Sequence, residues 1–407
     1  MAPGCCPWSV DDLPPCSLTD LFFVFTPPSH ALDVGPESSI ISLTIPLIAQ
    51  SPAIFHSMVS CSAIFLSQKQ PSWRQVAIRH HCEALRNLAL EMSDGRLSEP
   101  SVAVSSMAVI LMIHLFESFD ASSKTPSYAH LLAVHDIFFK VPPKNPPDTT
   151  LGALILEAYV YRVAINSPFH PELLKAYASL EALTTLLMSS PAMGGSEIAS
   201  FRRSLWLGMP PDLYGLLYKA SFLLHTTLLD GGQMKEALIL SHHLEALQTK
   251  ELLDDGPDER ALLTETDALA AQAQHLYIAA AKLLVLKVLY RDIQATDDRV
   301  QSLLSEATVN TVSFNAIKQY HTPLLICPIA ILGTAAIRAQ DREILLAQLN
   351  RMRSLTGSRE SDSVLCFLQD LWSSVIGPFE DDPAEPGLGS PQLDVWLDYP
   401  RLRCVSL

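Results

Sequence analysis

Charged residues are scarce in this 407-residue chain, at 17% of the total, and aromatic residues make up only 7%. Lys and Arg number 28 against 43 Asp and Glu, which gives a net charge of −15, and the first basic residue is Lys69. Proteins hold nucleic acid largely by neutralising phosphates with Lys and Arg, so this balance argues against direct nucleic-acid binding. The hydrophobic share of 48% excludes a mainly disordered chain, which would combine low hydrophobicity with high charge.

Signatures of metal sites and of common catalytic centres are missing as well. The eight cysteines include no C-x-x-C pair and show no regular spacing, so neither a zinc site nor a disulfide framework is predicted. The chain has no G-x-S-x-G, no Gly-rich phosphate loop and no H-E-x-x-H. The run His80-His81-Cys82-Glu83 is interpreted as structural, because His80 and Glu83 share a helix face from which His81 diverges. We therefore predict no metal and no cofactor.

A membrane segment and a signal peptide are not predicted either. Residues 38–68 carry no charge, but Pro46, Pro52 and His56 interrupt them. Ser51-Pro52 is typical of a helix N-cap followed by proline at the first helical position, which favours a turn and then a buried helix. The N-terminus lacks the basic region of a signal peptide. We expect an intracellular protein with reduced cysteines.

Leu- and Ala-rich segments with helical spacing dominate the rest of the chain, and Pro and Gly separate them. The sequence predicts an all-α fold: a single large multi-helix domain over residues 40–376. A Pro/Ser-rich N-terminal arm, 1–39, precedes it, and an acidic, Pro-rich C-terminal tail, 377–407, follows it. Helices are predicted at about 52–67, 73–92, 98–119, 128–139, 150–166, 171–189, 211–229, 232–252, 259–291, 298–307, 323–339, 341–355 and 361–376.

Two groups of large polar side chains are candidates for the walls of a pocket. A core rich in Leu and Ala cannot bury many such side chains unless their polar tips find partners or a wet cleft. Tyr159 and Tyr161 are two apart on one helix and cannot share a face, and we expect Tyr159 to reach the pocket. The wider groups are His114, Glu117, His130 and His135, and Tyr159, Tyr161, Arg162, Trp206, Tyr214 and Tyr218. The predicted pocket residues are His114, His130, Tyr159, Trp206 and Tyr218.

Three segments resemble a known family. Residues 46–66 run from Pro46-Leu47 through Ser51-Pro52 into an apolar helix, and residues 205–217 carry a Leu-Gly element before a long helix. Residues 327–336 are apolar up to a glycine, with Asp-Arg at 341–342 and Leu-Trp at 371–372. In this order they resemble the regulatory (middle-homology) domain of fungal binuclear zinc-cluster transcription factors, over about residues 40–376. The resemblance implies an all-helical domain around an effector cavity.

The family's six-cysteine DNA-binding module has no counterpart in this sequence, because Cys5, Cys6 and Cys16 cannot supply it. Two functions stay open. The resemblance implies a nuclear regulator of fungal secondary-metabolite biosynthesis that binds a small-molecule effector, or a DNA-binding partner factor, and not DNA directly. The alternative is a recruited, cofactor-independent cytoplasmic enzyme, such as a Diels–Alderase, another pericyclase or an isomerase. It would cyclise a polyene, polyketide or terpenoid intermediate in an apolar cavity.

Overall fold

Helices account for almost all of the regular structure. The computed structural model describes residue 48 and residues 51–68, 70–94, 99–120, 128–140, 150–190, 211–226, 228–254, 265–312, 322–356, 359–375, 392–397, 399–402 and 405. The α-helices are α1 Pro52–Ser67, α2 Trp73–Ser93, α3 Pro100–Phe119, α4 Tyr128–Lys140, α5 Thr150–Asn166, α6 Tyr177–Met188, α7 Pro211–His225, α8 Gly231–Asp254, α9 Glu265–Leu289, α10 Asp298–Val312, α11 Thr322–Gly333, α12 Ala339–Thr356, α13 Arg359–Val375 and α14 Tyr399–Leu402. Two 3-10 helices, Pro171–Ala176 and Gln392–Leu397, complete the set.

The described residues form one helical body without a strand, which confirms the predicted all-α fold. Helix α9 lies at its centre and contacts α7, α8, α10 and α11, while α5 contacts α3, α4, α6 and α7. Ala280 and Ala281 on α9 are fully buried, and such small side chains let neighbouring helices approach closely. The core therefore consists mainly of α5, α7 and α9 with the helices around them.

Helix α1 begins with the N-cap that the sequence predicts. The side chain of Ser51 accepts a hydrogen bond from the backbone N–H of Ile54 at 3.3 Å, and Pro52 occupies the first turn. The uncharged stretch that follows is a buried helix packed against α2 and α3. The segment Ser101–Phe119 of α3 is long and apolar enough to cross a membrane, but 67% of it is buried inside the body, which is typical of a core helix.

Helix α7 is shorter than the predicted 211–229, because a contact from a distant segment and a local cap end it at His225. The guanidinium of Arg291 donates to the carbonyl oxygens of Leu224 at 2.8 Å and Thr226 at 2.7 Å, which satisfies the end of the helix. The next helix opens with a reciprocal capping box. There, Asp230 Oδ1 accepts from the N–H of Gln233 at 2.8 Å, and Gln233 Oε1 accepts from the N–H of Asp230 at 3.0 Å.

Three more helix bounds differ from the prediction. The segment predicted as a helix at 171–189 is a 3-10 helix followed by α6, and α10 runs on beyond 307 to Val312. The predicted helix at 323–339 ends at Gly333, where a turn closes through hydrogen bonds such as that from the N–H of Ala336 to the carbonyl of Gly333 at 3.2 Å. The end at Gly333 depends on turn hydrogen bonds, about which helical periodicity carries no information.

Part of the segment predicted as a C-terminal tail packs onto this body. Trp396 in the second 3-10 helix is fully buried, and its ring lies 5.7 Å from that of Phe169. Asp394 in the same turn accepts a hydrogen bond of 2.8 Å from Nζ of Lys287, whose side chain is 0% exposed. The predicted arm, residues 1–39, lies outside the described residues.

Candidate ligand-binding groove

A groove of about 390 Å³ runs between α6 and α7, and α8 closes one side of it. Its exposed lining residues, Glu181, Thr185 and His243, mark an opening to solvent. Its volume lies within the range of small-molecule sites, roughly 300 to 1,000 Å³. The lining residues are Leu180, Glu181, Thr184, Thr185, Met188, Asp212, Gly215, Leu216, Tyr218, Lys219 and His243.

Helical spacing brings these side chains to the groove. Leu180, Thr184 and Met188 are four residues apart on α6 and therefore lie along one face. On α7, Gly215 lies opposite Thr184: a Cβ added at Gly215 would have Cγ2 of Thr184 as its nearest neighbour, at 3.7 Å. The missing side chain of Gly215 thus leaves open the space between the two helices.

The hydroxyl groups in the lining already have partners. Tyr218 donates to the carbonyl oxygen of Leu173 at 2.9 Å, and its ring is 2% exposed. Thr184 and Thr185 each donate to a carbonyl one turn earlier in α6, at 2.9 Å. The groove therefore offers ligands an aromatic and aliphatic surface, with the charged groups of Glu181, Asp212 and Lys219 beside it.

Lys219 forms an ion pair with Glu236 of α8, and their side chains are 27% and 32% exposed. Asp212 lies in the first turn of α7, where the helix dipole favours a negative charge. Its Oδ1 atom is shielded from solvent and accepts no hydrogen bond among the described residues.

Of the predicted pocket residues, Tyr218 lines this groove and three others lie elsewhere. Tyr159 is 1% exposed and belongs to the core of α5. His114 is 1% exposed on α3, and Nε2 of His130 lies 3.0 Å from Oε2 of Glu117. Trp206 lies outside the described residues. None of these three described residues contributes to the groove lining, so the predicted set is not brought together around it.

Glu117 and His130 of the histidine group belong to a polar layer where α2, α3 and α4 meet. The ring of His81 stacks on Phe116 at a centroid distance of 4.1 Å, and Arg74 contacts Asp120 at 3.1 Å. Burial is the main cause that lowers the pKa of His81. The layer joins three helices through stacking and ion pairs.

Tyr161 and Tyr214 of the tyrosine group form a layer of phenol rings inside the core together with Tyr277. The ring of Tyr161 lies 5.3 Å from that of Tyr214, which lies 6.2 Å from that of Tyr277. Burial raises the pKa of all three phenols above its ordinary value, so they stay neutral at physiological pH. Beside them, Arg162 contacts Glu360 at 2.6 Å. Burial alone would lower the pKa of Arg162, but the neighbouring carboxylate outweighs it and the net shift is upward.

Sequence reasoning missed most of the groove, although one signal pointed toward it. Gly215 interrupts an otherwise large-residue helix, Leu213-Tyr214-Gly215-Leu216-Leu217, and a glycine inside a helix costs stability unless the space it leaves is used. Asp212, Lys219 and His243 gave no such signal. Among the described residues, no group of three or more His, Cys, Asp or Glu side chains is placed to hold a metal ion.

The fold and the groove define an all-helical domain with space for a small ligand. Residues 18–375 match the family model described as the fungal specific transcription factor domain, and the chain belongs to this family. No curated protein and no solved structure shows a significant match.

Proposed function

We propose that this chain is a ligand-responsive regulator of fungal gene expression, and that the groove between α6 and α7 binds an apolar effector derived from secondary metabolism. Membership of the family supports a regulator-like role. The proposal that the chain binds an effector rests on the groove itself, which has a volume of about 390 Å³. A regulator of this kind acts in the nucleus, through a DNA-binding partner factor.

Helix α7 links the groove to the core. Leu216 and Lys219 line the groove, whereas Tyr214 and Leu217 on the same helix are fully buried, and α7 contacts both α5 and α9. A ligand shifts a conformational equilibrium only by its difference in affinity for the two states. Ligand contacts on α7 would supply such a difference, because any movement of α7 must repack the core.

The enzyme alternative finds less support in this groove. A cofactor-independent cyclisation gains rate when a fixed donor stabilises charge on a substrate oxygen. The aromatic donor in the lining, Tyr218, already donates to Leu173 at 2.9 Å, and the hydroxyls of Thr184 and Thr185 are bound within their own helix. The hydroxyl groups of the lining are therefore already bound, whereas the shape and apolar surface of the groove suffice for binding.

A binding experiment tests the groove directly. Decanol, an apolar probe, is titrated calorimetrically into the 407-residue chain and into two variants of Gly215. Gly215→Ala adds one methyl at ordinary contact distance and should bind as the parent does. Gly215→Phe should fill the space and abolish binding while its circular-dichroism spectrum stays helical. Equal binding by Gly215→Phe would show that the ligand lies elsewhere.

A genetic experiment separates the two functions. A strain that carries Gly215→Phe at normal protein levels is compared with one that carries Gly215→Ala. If the chain is a regulator, we expect lower transcript levels across a set of biosynthetic genes only in the strain that carries Gly215→Phe. Unchanged transcripts with one accumulated uncyclised intermediate would establish the enzyme instead.

A further inference from the structure

We infer that the groove between α6 and α7 selects ligands that carry a protonated amine on an apolar body. This inference rests on the proposed function, because it names the chemical class of the effector for the same groove. The structural basis is an apolar lining beside two carboxylates, Asp212 and Glu181, for which the described residues show no ion pair.

The apolar half of the recognition comes from both helices. Leu180 and Met188 contribute from α6, and Leu216 and the ring of Tyr218 contribute from α7. Because the hydroxyls of Tyr218 and Thr184 are already bound to backbone carbonyls, a ligand can cover this surface without leaving them unpaired. An aliphatic or aromatic body therefore fits here.

The charged half comes from Asp212 and Glu181, one on each helix. Oδ1 of Asp212 is shielded from solvent and accepts no hydrogen bond among the described residues. A carboxylate oxygen in such a place has lost its water and gained no donor, which is unfavourable. A ligand N–H would supply that donor, and a charged one would form the stronger bond.

The basic group of the lining is committed to another partner. Lys219 pairs with Glu236 of α8, so its charge is balanced by Glu236 and not by Asp212 or Glu181. His243 is the other basic side chain of the lining, and it lies exposed on α8. The net charge of −15 on the whole chain acts in the same direction, since it attracts cations and repels anions at long range.

Three probes of equal chain length test the charge preference. Decylamine, decanol and decanoate are titrated below their aggregation concentrations into the 407-residue chain at neutral pH. The expected order of affinity is amine, then alcohol, then carboxylate, with the amine bound about tenfold or more tightly than the alcohol, as a charge-assisted hydrogen bond implies. Binding of the alcohol and the carboxylate as tight as that of the amine would overturn the inference and leave the proposed function standing. Failure of all three to bind would overturn both.

Matched variants locate the effect. Asp212→Asn keeps the shape of the side chain and should remove most of the amine preference, because it should lower the affinity for decylamine much more than the affinity for decanol. Asp298→Asn is the control, because Asp298 is also a first-turn aspartate but is exposed on α10, away from the groove. Glu181→Gln, at an exposed position, should lower the amine preference by a smaller factor and serves if Asp212→Asn unfolds. An amine preference that survives both groove variants would refute the assignment.

Discussion

The indole N–H of Trp372 donates a hydrogen bond of 3.0 Å to the carbonyl oxygen of Gly333, which lies 39 residues earlier in the chain. The guanidinium of Arg342 lies 5.5 Å from the centroid of the same indole ring and donates through Nε to the carbonyl of Ala336 at 2.8 Å. The separate pieces of the C-terminal signature thus meet in one cluster of α11, α12 and α13. The cluster fixes the turn that follows Gly333.

Gly333 should not tolerate a side chain, whereas Gly215 should. A Cβ at Gly333 would lie 2.5 Å from Cδ1 and 2.7 Å from Cδ2 of Leu368, a fully buried side chain that would have to repack within the core. We expect Gly333→Ala to lower the free energy of unfolding by about 1 to 3 kcal/mol, as overpacking does. Gly215→Ala should raise it by up to about 1 kcal/mol, because alanine is the better helix former. Urea denaturation of both variants checks this, and a neutral Gly333→Ala would contradict the packing described.

Loss of the hydrogen bond from Trp372 to Gly333 should lower the free energy of unfolding. Trp372→Phe retains an aromatic ring but removes the donor to Gly333, so we expect a loss of about 1 to 2 kcal/mol in the free energy of unfolding. Trp73→Phe is the control, because the indole N–H of Trp73 reaches Gln70 at 3.2 Å on the exposed surface. Thermal unfolding should show a clear drop in Tm for the first variant and almost none for the second. Equal drops would mean that ring size and not the hydrogen bond matters.

Lys287 should hold the C-terminal 3-10 helix onto the body. Its fully buried ammonium donates to Asp394 at 2.8 Å and to the carbonyl of Arg291. Lys287→Met should cost about 2 to 3 kcal/mol, because it leaves the carbonyls of Arg291 and Ile293 short of a donor, while Asp394, at 43% side-chain exposure, can regain water.

Limited proteolysis offers a second measurement of the same contact. Cleavage within the 3-10 helix Gln392–Leu397 should accelerate in Lys287→Met. It should not change in Lys235→Met, since Lys235 is exposed. A Lys287→Met protein as stable and as resistant as the parent would exclude this role for the ion pair.

A buried histidine pair should make the protein less stable in acid. Nδ1 of His56 lies 3.0 Å from Nδ1 of His80 between α1 and α2. Burial lowers the pKa of both, and for His80 the neighbouring His56 adds to it and brings the pKa to about 4. Glu83 opposes these shifts, and Arg86 and Arg79 favour them.

The direction of this pH dependence follows from the difference between the pKa of each histidine in the unfolded chain and its pKa in the folded chain. The unfolded chain takes up protons near pH 6.5, while the folded chain resists them until the pH is lower. For His80 the stabilising contribution is therefore fully present above pH 6.5 and is lost as the pH falls from 6.5 toward 4, by up to about 1.4 kcal/mol per pH unit, and His56 contributes in the same direction. His80→Gln should flatten this slope. His242→Gln, at 79% side-chain exposure, should not, and identical slopes for both variants would contradict the pairing.

The helical class and the start of α1 could be predicted because both depend on nearby residues. Helical periodicity and Pro and Gly breaks act over one or two turns, and the Ser51-Pro52 cap reaches only to Ile54. The order of the family segments pointed to the regulatory domain, and the match over residues 18–375 confirms it. The end of α7 could not be predicted, because the side chain that caps it, Arg291, lies 65 residues beyond Thr226.

Which amphipathic side chains reach a groove was decided by tertiary packing alone. Tyr159 and Tyr218 look alike in sequence, as tyrosines on apolar helices, and both are buried, yet of the two only Tyr218 also lines the groove. The sequence by itself determined that the chain folds into helices with a large apolar core, since that depends on composition and short-range periodicity. The groove arises from how far apart α6 and α7 lie. That distance depends on the missing side chain of Gly215 and on the packing of α7 against α5 and α9, from segments far apart in the chain.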